Sequence, residues 1–152
     1  MGHRCRICGC VRANEKFNGR GHRDHVCKDC QRMPGEKRER IERLDELDGF
    51  LRQSNISGKN LKRLETLRDH ADPEVATLAA LVLDVAHVLP GKRSRWLKLA
   101  QRHRPVFERA VGVLGLEYFQ ELLAGYGDFE SRLWDIIGDY PQCQKSHPVS
   151  RD

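Results

Sequence analysis

Two Cys-x-x-Cys pairs, Cys5/Cys8 and Cys27/Cys30, lie within the first thirty residues of the chain, with eighteen residues between them. Four thiolates at this spacing can form a tetrahedral shell around one zinc ion, because both sulfurs of each pair can reach the same metal. Redox-active dithiols, or disulfides in a secreted domain, are the alternatives. The paired spacing favours zinc, and closed four-cysteine sites are structural far more often than catalytic.

The residues around each pair support a metal-binding fold. Ile7-Cys8-Gly9 predicts the turn of a zinc knuckle, where glycine lets backbone amides point at the sulfurs. After Cys27-Lys28-Asp29-Cys30, the sequence runs into a polar stretch that is able to start a helix. A segment of this length buries too little apolar surface to fold alone, so we expect the bound zinc to supply much of its folding free energy.

The chain has two further cysteines whose spacing does not complete a metal site. Cys10 lies two residues past Cys8, and since four cysteines already fill the shell we expect it to be a small packed or exposed residue. Cys143 and His147 have finger-like spacing but no partner pair nearby, so we interpret them as tail sequence.

The basic charge is concentrated in two blocks. Residues 1–43 carry twelve Lys or Arg against six Asp or Glu, and residues 91–110 carry seven against one, whereas 44–90 and 111–152 are net acidic. A polyanion-binding surface requires such blocks, although solvated helix faces also produce them. Beside a zinc module, we favour nucleic-acid contact.

The candidate phosphate contacts are the cations of these two blocks. They are Arg4, Arg6, Arg12, Lys16, Arg20, Arg23 and Lys28 near the cysteines, and Lys92, Arg93, Arg95, Lys98, Arg102 and Arg104 in the second block. Phosphate contacts of this kind give affinity without necessarily giving sequence choice. Trp96 could stack on a base, but a core position is the more common role for such a residue.

The elements that must position these residues are helices. Apolar residues at Ile41, Leu44, Leu47 and Leu51 mark one face of a helix that follows the break at Pro34-Gly35. Further helix starts are indicated by polar caps and by proline in the first turn. These are Ser57, Asp72-Pro73, the stretch from Lys92 to Trp96, and Pro105, with later helices around 116–124 and 129–137.

We therefore predict a mainly α protein in three parts. Residues 1–35 form a four-cysteine zinc module with a treble-clef or ribbon-like fold, and short strands are expected only there. Residues 36–138 form a bundle of about five to six helices, in which the helix after Asp72 is the buried central one. Residues 139–152 form a loosely ordered tail.

The layout between the cysteine pairs resembles a known family. Over the first thirty-five residues, Cys-x-x-Cys, Asp24-His25 and Cys-x-x-Cys resemble the zinc-stapled treble-clef modules that accompany HNH endonucleases. The resemblance implies that His25 matches the histidine that activates water and Asp24 its acidic neighbour. His25 is only two residues from Cys27, however, and no later Asn or His has suitable spacing, so the resemblance implies a fold more than an activity. His22 and His25 then serve as donors around the metal site or as phosphate contacts.

No run of eighteen apolar residues occurs, so we expect no membrane-spanning helix. The basic residues up to Arg6 lead into cysteines rather than an apolar run, which argues against a signal peptide. Reduced, metal-bound cysteines and the lack of an export signal indicate a cytoplasmic protein.

The sequence as a whole predicts a small, non-enzymatic protein with a structural Zn²⁺ that contacts DNA or RNA through its basic patches. One alternative is a protein-interaction adaptor that docks through the zinc module, with the acidic C-terminal residues as a second surface. The other is an HNH-like metal-dependent nuclease or a degenerate relative, for which His25 is the weak catalytic candidate. The choice between DNA and RNA, the identity of any protein partner and the oligomeric state stay open.

Overall fold

The computed structural model describes residues 2–123, with only the backbone described at 20–22 and 121–123. The elements in chain order are β1 (Gly2–Arg4), β2 (Val11–Ala13), a 3₁₀ turn (Asn14–Lys16), α1 (Gly19–Asp24), α2 (Lys28–Gln31), α3 (Gly35–Arg52), α4 (Gly58–Arg68), α5 (Pro73–Val88), α6 (Arg95–Arg102), α7 (Arg104–Leu114) and α8 (Leu116–Leu123). We call residues 2–34 the cysteine module and residues 35–123 the helical region.

The predicted mainly α fold is confirmed. Over the described residues the only strands are β1 and β2, which pair antiparallel with His3 opposite Arg12 in the cysteine module. Six helices, α3 to α8, make up the helical region. The helix predicted at 129–137 and the tail predicted at 139–152 lie outside the described residues, and the domain boundaries stay predictions.

Side-chain caps fix the starts of α4 and α5 where the sequence predicts them. Ser57 Oγ accepts a hydrogen bond from the backbone N–H of Asn60 at 3.4 Å. Asp72 Oδ1 accepts from Glu74 N–H at 2.9 Å and from Val75 N–H at 3.2 Å, and Pro73 occupies the first helical position. Each cap satisfies amide groups that the helix itself leaves unpaired, and is worth about 1 kcal/mol.

The core of the helical region is built around α5, as its apolar sequence predicts. This helix packs against α3, α4 and α7. Its buried residues are Val75, Ala79, Leu81, Val82, Leu83, Val85 and Ala86. None of the helices in the described part of the chain is long and apolar enough to cross a membrane.

A second, smaller core lies in the cysteine module, and α3 connects the two. The small core consists of Cys5, Ile7, Phe17, Val26, Cys27 and Cys30. Ile41, in the N-terminal half of α3, packs against it, whereas Leu47, Phe50 and Leu51 in the C-terminal half belong to the larger core. One continuous helix therefore sets the position of the cysteine module on the helical region.

The junction between α5 and α6 corrects one sequence prediction. Arg95, predicted to contact nucleic acid, is only 2% exposed. Its guanidinium donates hydrogen bonds to the carbonyl oxygens of Leu51, Pro90 and Gly91 at 2.8, 2.6 and 3.2 Å. The prediction for Arg95 is wrong, because these carbonyls at the ends of α3 and α5 take up the donors that a phosphate would need.

Trp96, the residue after Arg95, packs against the core of the helical region. Trp96 makes edge-to-face contacts with Phe119 and Tyr118, at ring-centroid distances of 5.1 and 6.1 Å. Such aromatic pairs add about 1 kcal/mol to the free energy of area burial. Trp96 thus joins α6 to α8.

Candidate metal centre and basic surfaces

The four predicted cysteines come together. The Sγ atoms of Cys5, Cys8, Cys27 and Cys30 all lie within 4.8 Å of one another. A zinc–thiolate bond of about 2.3 Å in a tetrahedron places sulfurs about 3.8 Å apart, so the donor set fits a four-coordinate ion. Among the side chains that the structure describes, no other three from His, Cys, Asp or Glu approach closely enough to hold a metal ion.

The first pair is supplied by the turn of the β-hairpin. Cys5 directly follows β1, and its N–H donates to Cys10 O at 2.9 Å, while Gly9 N–H donates to Cys5 O at 2.9 Å. Gly9 has φ +71°, a left-handed conformation that side chains rarely adopt. The predicted glycine turn is thus present, and it folds the chain back so that Cys8 faces Cys5.

The second pair is supplied by the start of α2. Cys27 is the N-cap of α2, and Cys30 lies in its first turn, so this helix begins before the polar stretch that the sequence indicates after Cys30. The chain is held against the hairpin by Arg6 N–H, which donates to His25 O at 2.8 Å. The Cys27 N–H then points at Cys5 Sγ at 3.4 Å.

The thiols of the cluster have strongly different proton affinities. Burial raises the pKa of Cys5, but hydrogen bonds from the backbone amides of Cys27 and of the knuckle outweigh it and bring this pKa to about 6. Burial and the neighbouring cysteine sulfurs raise the pKa of Cys30 far above its usual range. Because four thiolates repel one another, the complete set ionises only around a cation.

Cys10 lies outside the set of four. It is exposed, and its thiol donates to Cys8 O at 3.6 Å. The nearby Cys8 sulfur raises the pKa of Cys10, which keeps its thiol protonated. Cys143 and His147, interpreted as tail sequence, lie outside the described residues.

Arg12 lies beside the sulfurs rather than free in solvent. Its guanidinium is 3.7 Å from Asp29 in α2, and its Nε is buried without a hydrogen-bond partner. The neighbouring Cys10, and then Asp29 and the other cysteines, raise the pKa of Arg12. A metal bound by four thiolates carries a net negative charge when the metal is divalent, and Arg12 is placed to compensate part of it.

The remaining predicted phosphate contacts divide into paired and unpaired cations. Arg6 forms an ion pair with Glu42 at 3.1 Å, and Arg104 with Glu108 at 3.1 Å. The side chain of Arg20 lies outside the description. Among the predicted contacts, the accessible cations with no carboxylate within ion-pair distance in the described part of the chain are Arg4, Lys16, Arg23, Lys28, Lys92, Arg93, Lys98 and Arg102.

Most arginines of α3 and α4 are instead neutralised by acids. Glu46 is the centre of the largest network: its carboxylate accepts from Arg63 at 2.7 and 3.0 Å and from Arg43 at 2.8 Å. Hydrogen bonds from Arg63 lower the pKa of Glu46. The other arginine ion pairs described on these helices are Arg43 with Glu39, Arg40 with Asp72 and Glu74, Arg52 with Asp48, and Arg68 with Asp69.

A cleft of about 680 Å³ lies between the cysteine hairpin and α3, and we call it the knuckle cleft. Asp45 and Asp48 of α3 form its acidic wall. Its basic side chains come from both regions and are Arg4, Arg6, His25 and Arg52. His25 has φ 52°, a left-handed backbone that is uncommon outside glycine. Sequence reasoning missed Arg52, because its place depends on how α3 packs against the hairpin.

A second groove of about 660 Å³ lies between α3, α5 and α7. Leu44, Leu78, Val113 and Leu114 give it an apolar floor. Its rim carries Asp45, Asp48 and Glu74. Three helices distant in sequence form this groove, so no sequence motif indicated it.

Comparisons with protein-family models, with curated proteins and with solved structures find no match to this chain. The likeness to HNH-associated modules, and with it the catalytic role for His25, therefore stays a prediction from sequence.

Proposed function

We propose that this chain is a small zinc protein that contacts the phosphate backbone of nucleic acid without acting as an enzyme. The observation that carries the proposal is that eight of the predicted contacts are accessible cations with no carboxylate partner among the described residues, four in the cysteine module and four at 92–102. Arginines that only solvate a helix face are usually accompanied by acids, as most of those of α3 and α4 are. Unpaired cations are available for phosphates.

Zinc is the metal that suits the four cysteines. Soft thiolates in a tetrahedral arrangement select zinc or iron, and a closed set of four cysteines is typical of structural zinc. All four positions are protein sulfurs, which leaves none for a reacting water. A hairpin followed by a helix whose first turn carries the second pair supports the treble-clef interpretation. Zinc would join hairpin and helix and so hold the surrounding cations in place.

The aromatic residues favour backbone contacts over base stacking. Each Phe, Tyr and Trp whose side chain is described within residues 2–123 is buried or half-buried. Proteins that bind single strands commonly expose aromatic rings on which bases stack. The described surface instead offers Lys and Arg, which fits contact with the phosphates of a duplex.

Salt dependence is the direct test. We expect the zinc-loaded protein to bind mixed-sequence DNA or RNA duplexes in about 50 mM salt, with a slope of log K against log [salt] near −0.9 per phosphate contact. Fluorescence anisotropy over a salt series measures this slope, and metal analysis of the same sample gives the zinc stoichiometry. Lack of binding at low salt, or binding unchanged by salt, would contradict the proposal.

A protein-interaction adaptor is the second candidate, and the groove between α3, α5 and α7 favours it. An apolar floor with an acidic rim suits a basic amphipathic helix. This candidate predicts failure to bind nucleic acid at low salt, together with saturable binding of such a peptide that Leu78→Asp abolishes.

The nuclease interpretation keeps one supporting observation, the left-handed backbone of His25 in the basic knuckle cleft. A cleavage assay with Mg²⁺ or Mn²⁺ tests it. Cleavage that His25→Ala abolishes would support a nuclease, and cleavage that survives this change would exclude the site.

A further inference from the structure

The two basic blocks are distant in sequence, but the C-terminal end of α3 brings them together. Arg52, the last residue of α3, lines the knuckle cleft with Arg4. Its side chain is 75% exposed. The cleft thus extends from the cysteine hairpin to the end of this helix.

The loop that follows Arg52 is tied to the start of the second block. Lys92 N–H donates to Ser54 O at 2.8 Å, and Asn55 forms an isolated antiparallel bridge with Gly91. Ser54 is two residues from Arg52, a Cα separation of at most about 7.6 Å. One hydrogen bond and two residue steps therefore separate the backbone at Arg52 from Lys92.

The buried Arg95 makes this junction rigid. Its guanidinium joins Leu51, next to Arg52, to Pro90 and Gly91, next to Lys92. The two blocks are thereby fixed relative to each other at this point, and a ligand that contacts both does not have to order a flexible linker.

We propose that Arg4, Arg52, Lys92 and Arg93 form one continuous track along which a single nucleic-acid duplex lies, with Arg52 as the bridging cation. We call these four residues the track. The inference rests on the proposed function and adds to it that the two blocks act on one molecule. Arg93 is accessible and has no ion-pair partner in the described part of the chain, and the same is true of Arg4 and Lys92.

Acidic residues define one edge of the track. Asp45 and Asp48 of α3 line both the knuckle cleft and the apolar groove on the other side of α3. A phosphate is repelled from this ridge, so the duplex lies on the side of Arg4 and Arg52. Asp48 also pairs with Arg52, and a duplex phosphate competes with it for that guanidinium.

The test uses the full zinc-loaded chain and a 20-base-pair DNA duplex of mixed sequence, followed by anisotropy over a salt series. Arg4→Gln, Arg52→Gln and Lys92→Gln are each expected to lower the magnitude of the salt slope by about 1. Asp45→Asn, at an exposed position, is expected to raise affinity about twofold, because it removes repulsion at the edge. Thermal unfolding of each variant shows that it stays folded.

Arg68→Gln is the matched control, since it removes the same charge at the end of α4, far from Arg52. His70, two residues on, contacts Glu39 in the N-terminal half of α3. This variant should lower the slope by less than 0.3, which is within the scatter expected for a residue off the track.

Three outcomes overturn the inference while leaving the proposed function standing. They are two duplexes bound per chain, an Arg52→Gln slope equal to that of Arg68→Gln, or tighter binding of the corresponding single strand than of the duplex. Failure of the wild-type protein to bind any nucleic acid at low salt is a different result, and it removes the proposed function itself.

Discussion

The cysteine module and the helical region are held together by different forces. Six buried residues form the core of the module among the described side chains, and three of them are cysteines. Nineteen buried apolar residues form the described core of the helical region. Burial of apolar surface can stabilise the larger core alone, whereas we expect the smaller one to need a bound metal ion. We therefore expect a metal-dependent fold and a metal-independent one, joined by α3.

The largest expected effect comes from breaking the metal shell. Cys27→Ser removes one of four thiolates, and we expect the cysteine module to lose a metal-binding free energy on the order of 10 kcal/mol and unfold. The helical region should stay folded. Hydrogen exchange followed by residue, together with metal analysis, measures both: protection should vanish over residues 2–31 and persist in α5.

Cys10→Ser is the control for this prediction, because Cys10 lies outside the cluster. It should bind one metal ion per chain with unchanged protection. If chelation unfolded α5 along with the hairpin, the two regions would be one cooperative unit. The helical region would then depend on the metal as well, contrary to our expectation.

The next largest effect is expected in the helical region. Arg95→Met removes three hydrogen bonds at the junction of α3, α5 and α6, a buried one to Leu51 O and part-buried ones to Pro90 O and Gly91 O. We expect a loss of about 3 kcal/mol in unfolding free energy, because buried acceptors without donors are costly. Urea denaturation measures it, and metal stoichiometry should not change.

Arg93→Gln, two residues from Arg95, is the control for Arg95→Met. Its side chain is exposed, so stability should stay within about 0.5 kcal/mol of wild type while the salt slope of duplex binding falls by about 1. Equal stability losses for the two variants would contradict the structural role assigned to Arg95.

These two arginines show where prediction from sequence stops. Cysteine spacing and the caps at Ser57 and Asp72 are local signals, and the structure confirms them, because ligand geometry and helix starts depend on near neighbours. Arg93 and Arg95 look alike in sequence. Only the tertiary fold brings carbonyls of Leu51 and Pro90 to one of them. The position of Arg52 in the knuckle cleft likewise depends on the tertiary fold, which the sequence alone does not show.

A smaller effect is expected around the candidate metal site. Arg12→Gln removes a positive charge that interacts electrostatically with the cysteine sulfurs, and we expect metal affinity to fall about tenfold, as is typical for groups that surround metal ligands. Competition with a chromophoric chelator measures it. Lys16→Gln, an exposed cation of the same module, is the control and should leave metal affinity unchanged. A Kd for metal equal in both variants would show that Arg12 is only a surface residue.

The smallest expected effect depends on pH and is confined to the helical region. Arg63 and Arg43 hold the pKa of Glu46 below its unfolded value. A lowered pKa means that the carboxylate stabilises the fold at pH values above the unfolded pKa, and that this stabilisation is lost as the pH falls through the folded pKa. Glu46→Gln should therefore cost about 1 kcal/mol at pH 7 and almost nothing near pH 3.

Urea denaturation at both pH values checks this, with Glu65→Gln as control, because Glu65 is exposed and has no ion-pair partner among the described residues.

Metal release on acidification follows a different group of protons, those of the cysteines. Glu46→Gln should leave the pH midpoint of metal release unchanged, since the hydrogen bonds of Glu46 are to Arg43 of α3 and Arg63 of α4. A shift in that midpoint would mean that α3 transmits strain between the two cores, and that the metal site and the helical core are energetically coupled through it.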